Sequence, residues 1–173
     1  MANIQVNSIT NANIYLDGGN FIGRAKEVQV PEAAYKFVDH EALGMVGMTE
    51  LFAGIEKMEC TVQWNAPYAD ALKKLTNPNQ PVLMQVRANM RESNSAGLVG
   101  EVPVICTMSV VAKNIPGFNF KQHENVELET KLNVTYYKLE IDGEAVTEID
   151  VLANIFKVDG VDLLANYKRN IGG

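Results

Sequence analysis

The sequence predicts a mainly β fold, an antiparallel sandwich or barrel carrying one or two short helices and one long loop. Three observations predict it. Apolar and polar residues alternate with a period of two in stretch after stretch. Asp-Gly pairs stand where two such stretches must turn back. Only two short segments carry helix signals. At 173 residues the chain is the size of a single domain, read here as residues 1–173.

The elements follow in order. Asn13–Leu16 reads as the end of a strand. Asp17-Gly18 then supplies the positive φ angles of a tight hairpin, and Phe21 to Val30 reads as the returning strand. Lys57 to Trp64 alternates cleanly, with Met58, Cys60, Val62 and Trp64 on one side and Glu59, Thr61 and Gln63 on the other. Pro67 to Leu75 reads as a helix with Pro near its start and Asn77-Pro78 to stop it. Val82 to Met90 sets Val82, Met84, Val86, Ala88 and Met90 against Gln85, Arg87 and Asn89. Val102 to Val111 is apolar on both faces, as a central strand should be. Val126 to Val134 alternates again with Glu127, Glu129 and Lys131 outward.

After that the phase slips. Tyr136 keeps the register, but Leu139 and Ile141 take the other one. A one-residue slip flips every side chain, so a bulge or corner is expected near Tyr136-Tyr137. Asp142-Gly143 then turns a hairpin between Tyr136–Ile141 and Glu144–Ile149. Val161 to Arg169 reads as a second helix, with an acid early, bases late and Gly172 as the stop, so 159–173 is a C-terminal helix and tail.

One segment obeys neither period. Tyr35 to Glu56 mixes Val38, Leu43, Met45, Met48, Leu51 and Phe52 with Gly44, Gly47 and Gly54. A loop of about 20 residues inside a compact domain is usually functional or disordered, and disordered loops are not this apolar. It reads as a long loop, 35–56, whose apolar surface meets a partner.

Charge and motifs exclude several classes. The net charge is −6, and residues 124–150 hold eight acids against two bases, so that segment carries all of it. A protein that grips nucleic acid by its phosphates needs the opposite sign. No apolar run approaches the ~20 residues of a membrane span, and no basic-then-apolar leader opens the chain, so export by a signal peptide is not expected. His40 and His123 have no companions at zinc-ligand spacing. Cys60 and Cys106 sit on apolar strand faces, as core thiols do. No nucleophile elbow, Walker loop or dinucleotide fingerprint is present. The expectation is a protein that is not an enzyme, with no catalytic residue, metal or cofactor.

Two blocks of residues carry a resemblance. Tyr136-Tyr-Lys-Leu-Glu-Ile-Asp-Gly-Glu-Ala-Val-Thr-Glu-Ile-Asp150 is followed by Asn154, Val158-Asp-Gly-Val-Asp-Leu-Leu164 and Arg169-Asn-Ile-Gly172. Near the start stand Asn13-Ile-Tyr-Leu-Asp-Gly18, Gly23, Val28-Gln-Val-Pro31 and Gly44-Met45. This ordered set closely resembles the FII-type major tail tube proteins of contractile-tailed phages, and is similar to the tube proteins of R-type pyocins. Just before Gly44 the chain has Glu41-Ala-Leu43, where the family pattern carries a Tyr-Arg-like pair.

The resemblance implies a structural virion protein with the tail-tube β fold. It implies homohexameric rings stacked into a hollow tube inside a contractile sheath, through which DNA is ejected without specific binding. Partners would be further copies of itself, the sheath protein, a baseplate or tube initiator and a tail terminator, with assembly in the host cytoplasm. In such a tube the outward strand faces supply lumen candidates: Glu27, Gln29, Glu59, Thr61, Gln63, Glu127 and Glu129. An acidic wall would repel phosphates and let DNA slide. The 35–56 loop would reach the next ring through Val38, Leu43, Met45, Met48, Leu51 and Phe52. Two other readings compete: the tube of a tailocin or other contractile injection system, and a β-sandwich binding module.

Overall fold

A computed structural model of the chain describes residues 4–172. Its strands are β1 (Val6–Leu16), β2 (Gly19–Asn20), β3 (Ala25–Gln29), β4 (Tyr35–His40), β5 (Thr49–Ile55), β6 (Met58–Trp64), β7 (Val82–Asn94), β8 (Gly97–Ala112), β9 (Leu128–Ile141), β10 (Glu144–Asp150), β11 (Ile155–Val158) and β12 (Val161–Asp162). The helices are α1 (Ala69–Leu75) and α2 (Ala165–Ile171). All pairings are antiparallel.

The main sheet runs β12-β11-β10-β9-β8-β7-β1-β2, and β6 with β3 branches from β9. The branch is possible because β9 serves two neighbours along one edge. Its first half, Leu128–Val134, pairs with β6, and its second half, Tyr136–Ile141, pairs with β10. Along the other edge lies β8, where Ser109 opposes Tyr136 and Val110 opposes Val134. Thr135 is therefore an extra residue, a bulge that bends β9 from one layer into the other. Its carbonyl accepts the Val151 N–H at 3.0 Å, so the corner is satisfied. The phase slip in the sequence is this bulge, and the residues on either side form one continuous strand, not two.

The core lies between the branch and the main sheet. Met58, Cys60, Val62 and Trp64 of β6 face it, with Leu128, Leu132 and Val134 of β9, Met84 of β7, Met108 of β8, and Leu16. Ala71 and Leu75 of α1 close one end. Trp64 is fully buried; its Nε1–H donates to Thr130 Oγ1 at 3.2 Å, and Phe21 meets it edge-on at 6.0 Å. Thr130 is the buried polar residue among those described, and the indole N–H is its reason.

Three Asp-Gly turns carry both positive φ angles of a type I′ hairpin: Asp17-Gly18 (47° and 78°), Asp142-Gly143 (52° and 81°) and Asp159-Gly160 (50° and 74°). The third corrects the C-terminal expectation. Val161–Asp162 pairs with β11 as a strand, and Leu163 N–H donates to Phe156 carbonyl at 2.8 Å, so α2 starts only at Ala165.

Phe21 to Val30 is also not one strand. Phe21 N–H donates to Ile14 carbonyl at 2.9 Å while its ring turns into the core against Trp64. The chain turns through Ile22–Arg24, with Gly23 at φ 75°, and β3 leaves to pair with β6. At the other end of β1, pairing with β7 extends back to Val6.

The largest departure is 35–56. It is a β-hairpin, β4 on β5, forming a two-stranded sheet of its own. Every residue from Tyr35 to Ala53 is exposed. With no buried face, nothing selects for alternation. Phe37 pairs with Phe52 and Lys36 with Gly54, so Ala53 is a bulge beside Gly54, whose φ is 145°.

Candidate functional site

Two surfaces stand out. The first is the polar side of β3, β6 and β9. Val28, Val62 and Thr130 turn inward, which by strand parity turns their neighbours outward. Across the strands Glu27 stands opposite Gln63, and Gln63 opposite Glu129. The next row is Gln29, Thr61 and Lys131, and Glu59 faces Asn133. Glu27, Gln29, Glu59, Thr61, Gln63 and Glu129 thus line one shallow concavity, with Lys131 among them. Glu127 lies just beyond it, before β9 begins.

The electrostatics of this face differ from the acidic wall expected. Glu59 is held by both Lys113 and Lys57, the latter at 2.8 Å. Glu127 pairs with Lys26 at 2.8 Å, and Glu129 with Lys131 at 3.5 Å. Hydrogen bonds from Lys113 and then Lys57 pull the Glu59 carboxyl down to about 2. Three acids, Glu59, Glu127 and Glu129, are paired with four lysines, Lys26, Lys57, Lys113 and Lys131, and Glu27 brings the acids of this face to four. The face is balanced. Most of the acidic segment lies elsewhere: Glu140, Asp142, Glu144, Glu148 and Asp150 sit on the far half of β9, its turn and β10.

The edges of this polar sheet are open. Among the described residues β3 pairs with β6 alone. On the opposite side the chain continues past β8 along β9: Lys113 N–H donates to Lys131 carbonyl at 2.9 Å, and the Asn114 amide reaches Lys131 N–H and Glu129 carbonyl. Such edges invite another strand.

The second surface is the β4–β5 hairpin. Val38, Leu43, Met45, Met48, Leu51 and Phe52 are all on it and all exposed, Leu43 and Val46 fully. Its base is fixed. Tyr35 packs on Phe156 at 6.0 Å and on Phe52 at 5.7 Å, and Glu56 N–H donates to Ala34 carbonyl at 2.8 Å. An isolated two-stranded hairpin is marginal in water, and this one holds a run of large apolar side chains in solvent, the mark of an interaction surface.

A third apolar stretch went unmarked in the sequence. The connection from β8 to β9, residues 113–127, exposes Ile115 and Phe120, with Phe118 and Phe120 edge-to-face at 5.3 Å. Antiparallel neighbours need only a short turn, and that excess length was the signal available.

No group of three or more His, Cys, Asp or Glu able to hold a metal occurs among the described residues, and no described helix is long and apolar enough to cross a membrane.

Open strand edges and a projecting apolar hairpin are the features of a structural subunit built to associate. The family model for "Phage tail tube protein FII" matches residues 6–172. The chain belongs to that family, the tail tube proteins of contractile phage tails. It is 28% identical over 165 residues to the tail tube protein of Escherichia phage P2, covering 92% of this chain and 94% of the relative. It is 26% identical over 152 residues to the major tail tube protein of Serratia phage KSP20, covering 87% and 86%. These homologues are structural proteins, not enzymes. In fold it is similar to the sheath/tube terminator of an extracellular contractile injection system, with a TM-score of 0.52 at 10% identity, covering 75% of this chain and 92% of that one.

Proposed function

We propose that the chain acts as one tail-tube domain whose copies close into hexameric rings and stack into the inner tube of a virion tail. The polar face of β3, β6 and β9 lines the lumen, and the β4–β5 hairpin reaches the adjacent ring. The observation that carries this reading is the pair of open edges flanking the balanced face. The free edge of β3 on one copy meets residues 111–114 on the next. That contact joins unlike edges, so it is heterologous and closes into a ring where the rotation allows. Many strands closed this way enclose an aqueous channel.

DNA then passes a wall whose lysines are already occupied by glutamates, so no surplus of cations releases counterions from phosphate. The sheath, a tube initiator and a terminator would meet the outer and end surfaces, and assembly would take place in the host cytoplasm.

The test is to concentrate the purified protein, with and without seeding by tube ends, and to image it by negative stain beside light scattering. Rings or hollow tubes of uniform width support the reading. A protein that stays monomeric after seeding, with 35–56 already protected from hydrogen exchange, overturns it and favours a binding module.

A further inference from the structure

We infer that the receptor for the hairpin of one copy is the 113–127 connection of the next copy, centred on Phe120. This rests on the reading of the hairpin as the stacking element and names what it stacks on.

The placement comes from topology. The hairpin runs into β6 at Met58, and β6 ends at Trp64, which is paired with Leu128 where the 113–127 connection enters β9. The two apolar surfaces therefore lie at opposite ends of one seven-residue strand, about 20 Å apart. They cannot cover each other within one chain. Two unlike apolar patches at opposite ends of a subunit make a heterologous contact that repeats along a line, which is the geometry of a filament.

The chemistry of the patches matches. The hairpin offers Phe37 and Phe52, edge-on at 6.2 Å, with Met48 and Leu51 beside them. The connection offers Ile115 and the Phe118–Phe120 pair, anchored by buried Pro116. Sulfur and aromatic edges pack well together. The connection's own charges cancel, Lys113 and Lys121 against Glu124 and Glu127, but a cation without an ion-pair partner among the described residues stands beside it. The hairpin carries Asp39, Glu41 and Glu50 against Lys36, and none of the three acids has an ion pair among the described residues. At the receiving end Lys73 of α1 likewise has no ion pair there.

The experiment uses the full chain. Tubes are assembled from M48C/F120C protein under mild oxidation and run on a non-reducing gel. Cys60 and Cys106 are buried and stay out of the reaction. Covalent chains are expected from M48C/F120C, and none from either single variant or from M48C/I22C, whose cysteine sits at the same end beside α1. In parallel, M48E and F120E subunits are checked for folding by circular dichroism and tested for elongation; both should fold and fail to elongate. If M48E blocks elongation but F120E elongates normally and M48C/F120C does not cross-link, the receptor is wrong and the stacking role of the hairpin stands. If M48E elongates normally, the stacking role falls and this inference with it. Should F120E not fold, the cross-link alone decides.

Discussion

Replacing Glu59 and Glu129 with Gln would turn the polar face from neutral to cationic. Glu59 holds Lys57 and Lys113, and Glu129 holds Lys131. With both glutamates neutralised, two acids remain against four lysines, a surplus of two positive charges per subunit. Three lysines lose their partners and Glu27 remains among them, so the net surplus is two; each phosphate that this surplus neutralises adds about −0.9 to the slope of log affinity against log salt, and two give roughly −1.8. Raising salt about fourfold should then weaken DNA binding roughly tenfold. The side chains are exposed ion pairs, whose loss costs the fold little. The assay is fluorescence anisotropy of a short labelled duplex titrated with subunits, then with tubes, at several salt concentrations. The wild-type protein should show no salt-dependent binding, and E59Q/E129Q should show the predicted slope. A variant as inert as the wild type, or a wild type with an equal slope, would refute the idea that paired lysines keep the wall from holding DNA.

Three further outcomes are expected. Thr130→Val keeps the shape but leaves the buried Trp64 N–H without its acceptor, which should cost about 1–3 kcal/mol and lower Tm by roughly 2–4 °C per kcal/mol; Thr130→Ser should recover most of it, and equal melts for T130V and wild type would show the bond carries nothing. Burial pushes the Cys60 thiol up to about 12 and raises that of Cys106, so iodoacetamide at neutral pH should label neither until the chain is unfolded, and rapid labelling of the native protein would contradict the buried placement. Lysine and arginine partners hold Glu59 at about 2 and depress Asp70, Glu148 and Asp162. A carboxyl depressed in the folded state stabilises fully above its unfolded value and loses that contribution as pH falls through the folded one, so the denaturant midpoint should drop between roughly pH 5 and 2; a flat profile in that window would count against these ion pairs.

What could be read from the sequence divides along burial. Met58–Trp64 was legible because one face is buried and the other wet, which writes a period of two into the chain. The bulge at Thr135 was legible for the same reason, since it shifts that period. The β4–β5 hairpin was not, because both its faces meet solvent in the subunit, so no buried side writes a period into it. The break between Phe21 and Ala25 was hidden because Phe21 keeps the alternation while its ring turns in against Trp64. Parity also assigned the glutamates of the polar face correctly to one side. It placed Lys131 beside them but could not show the other three lysines: Lys26 sits at a register shift, and Lys57 and Lys113 lie just outside strand ends. Charge balance there is a tertiary property.

The shared strand β9 also has a consequence for synthesis. Chains emerge from the ribosome N-terminus first. Until residues 128–141 appear, β6 has β3 alone as a sheet partner and β8 has β7 alone. Chains truncated before Leu128 should accordingly melt without cooperativity. The apolar hairpin is thus translated long before the body that carries it can close, and neighbouring nascent chains on one message display it on a half-built frame. Any lateral or axial contact that needs the closed body must therefore wait until β9 is complete.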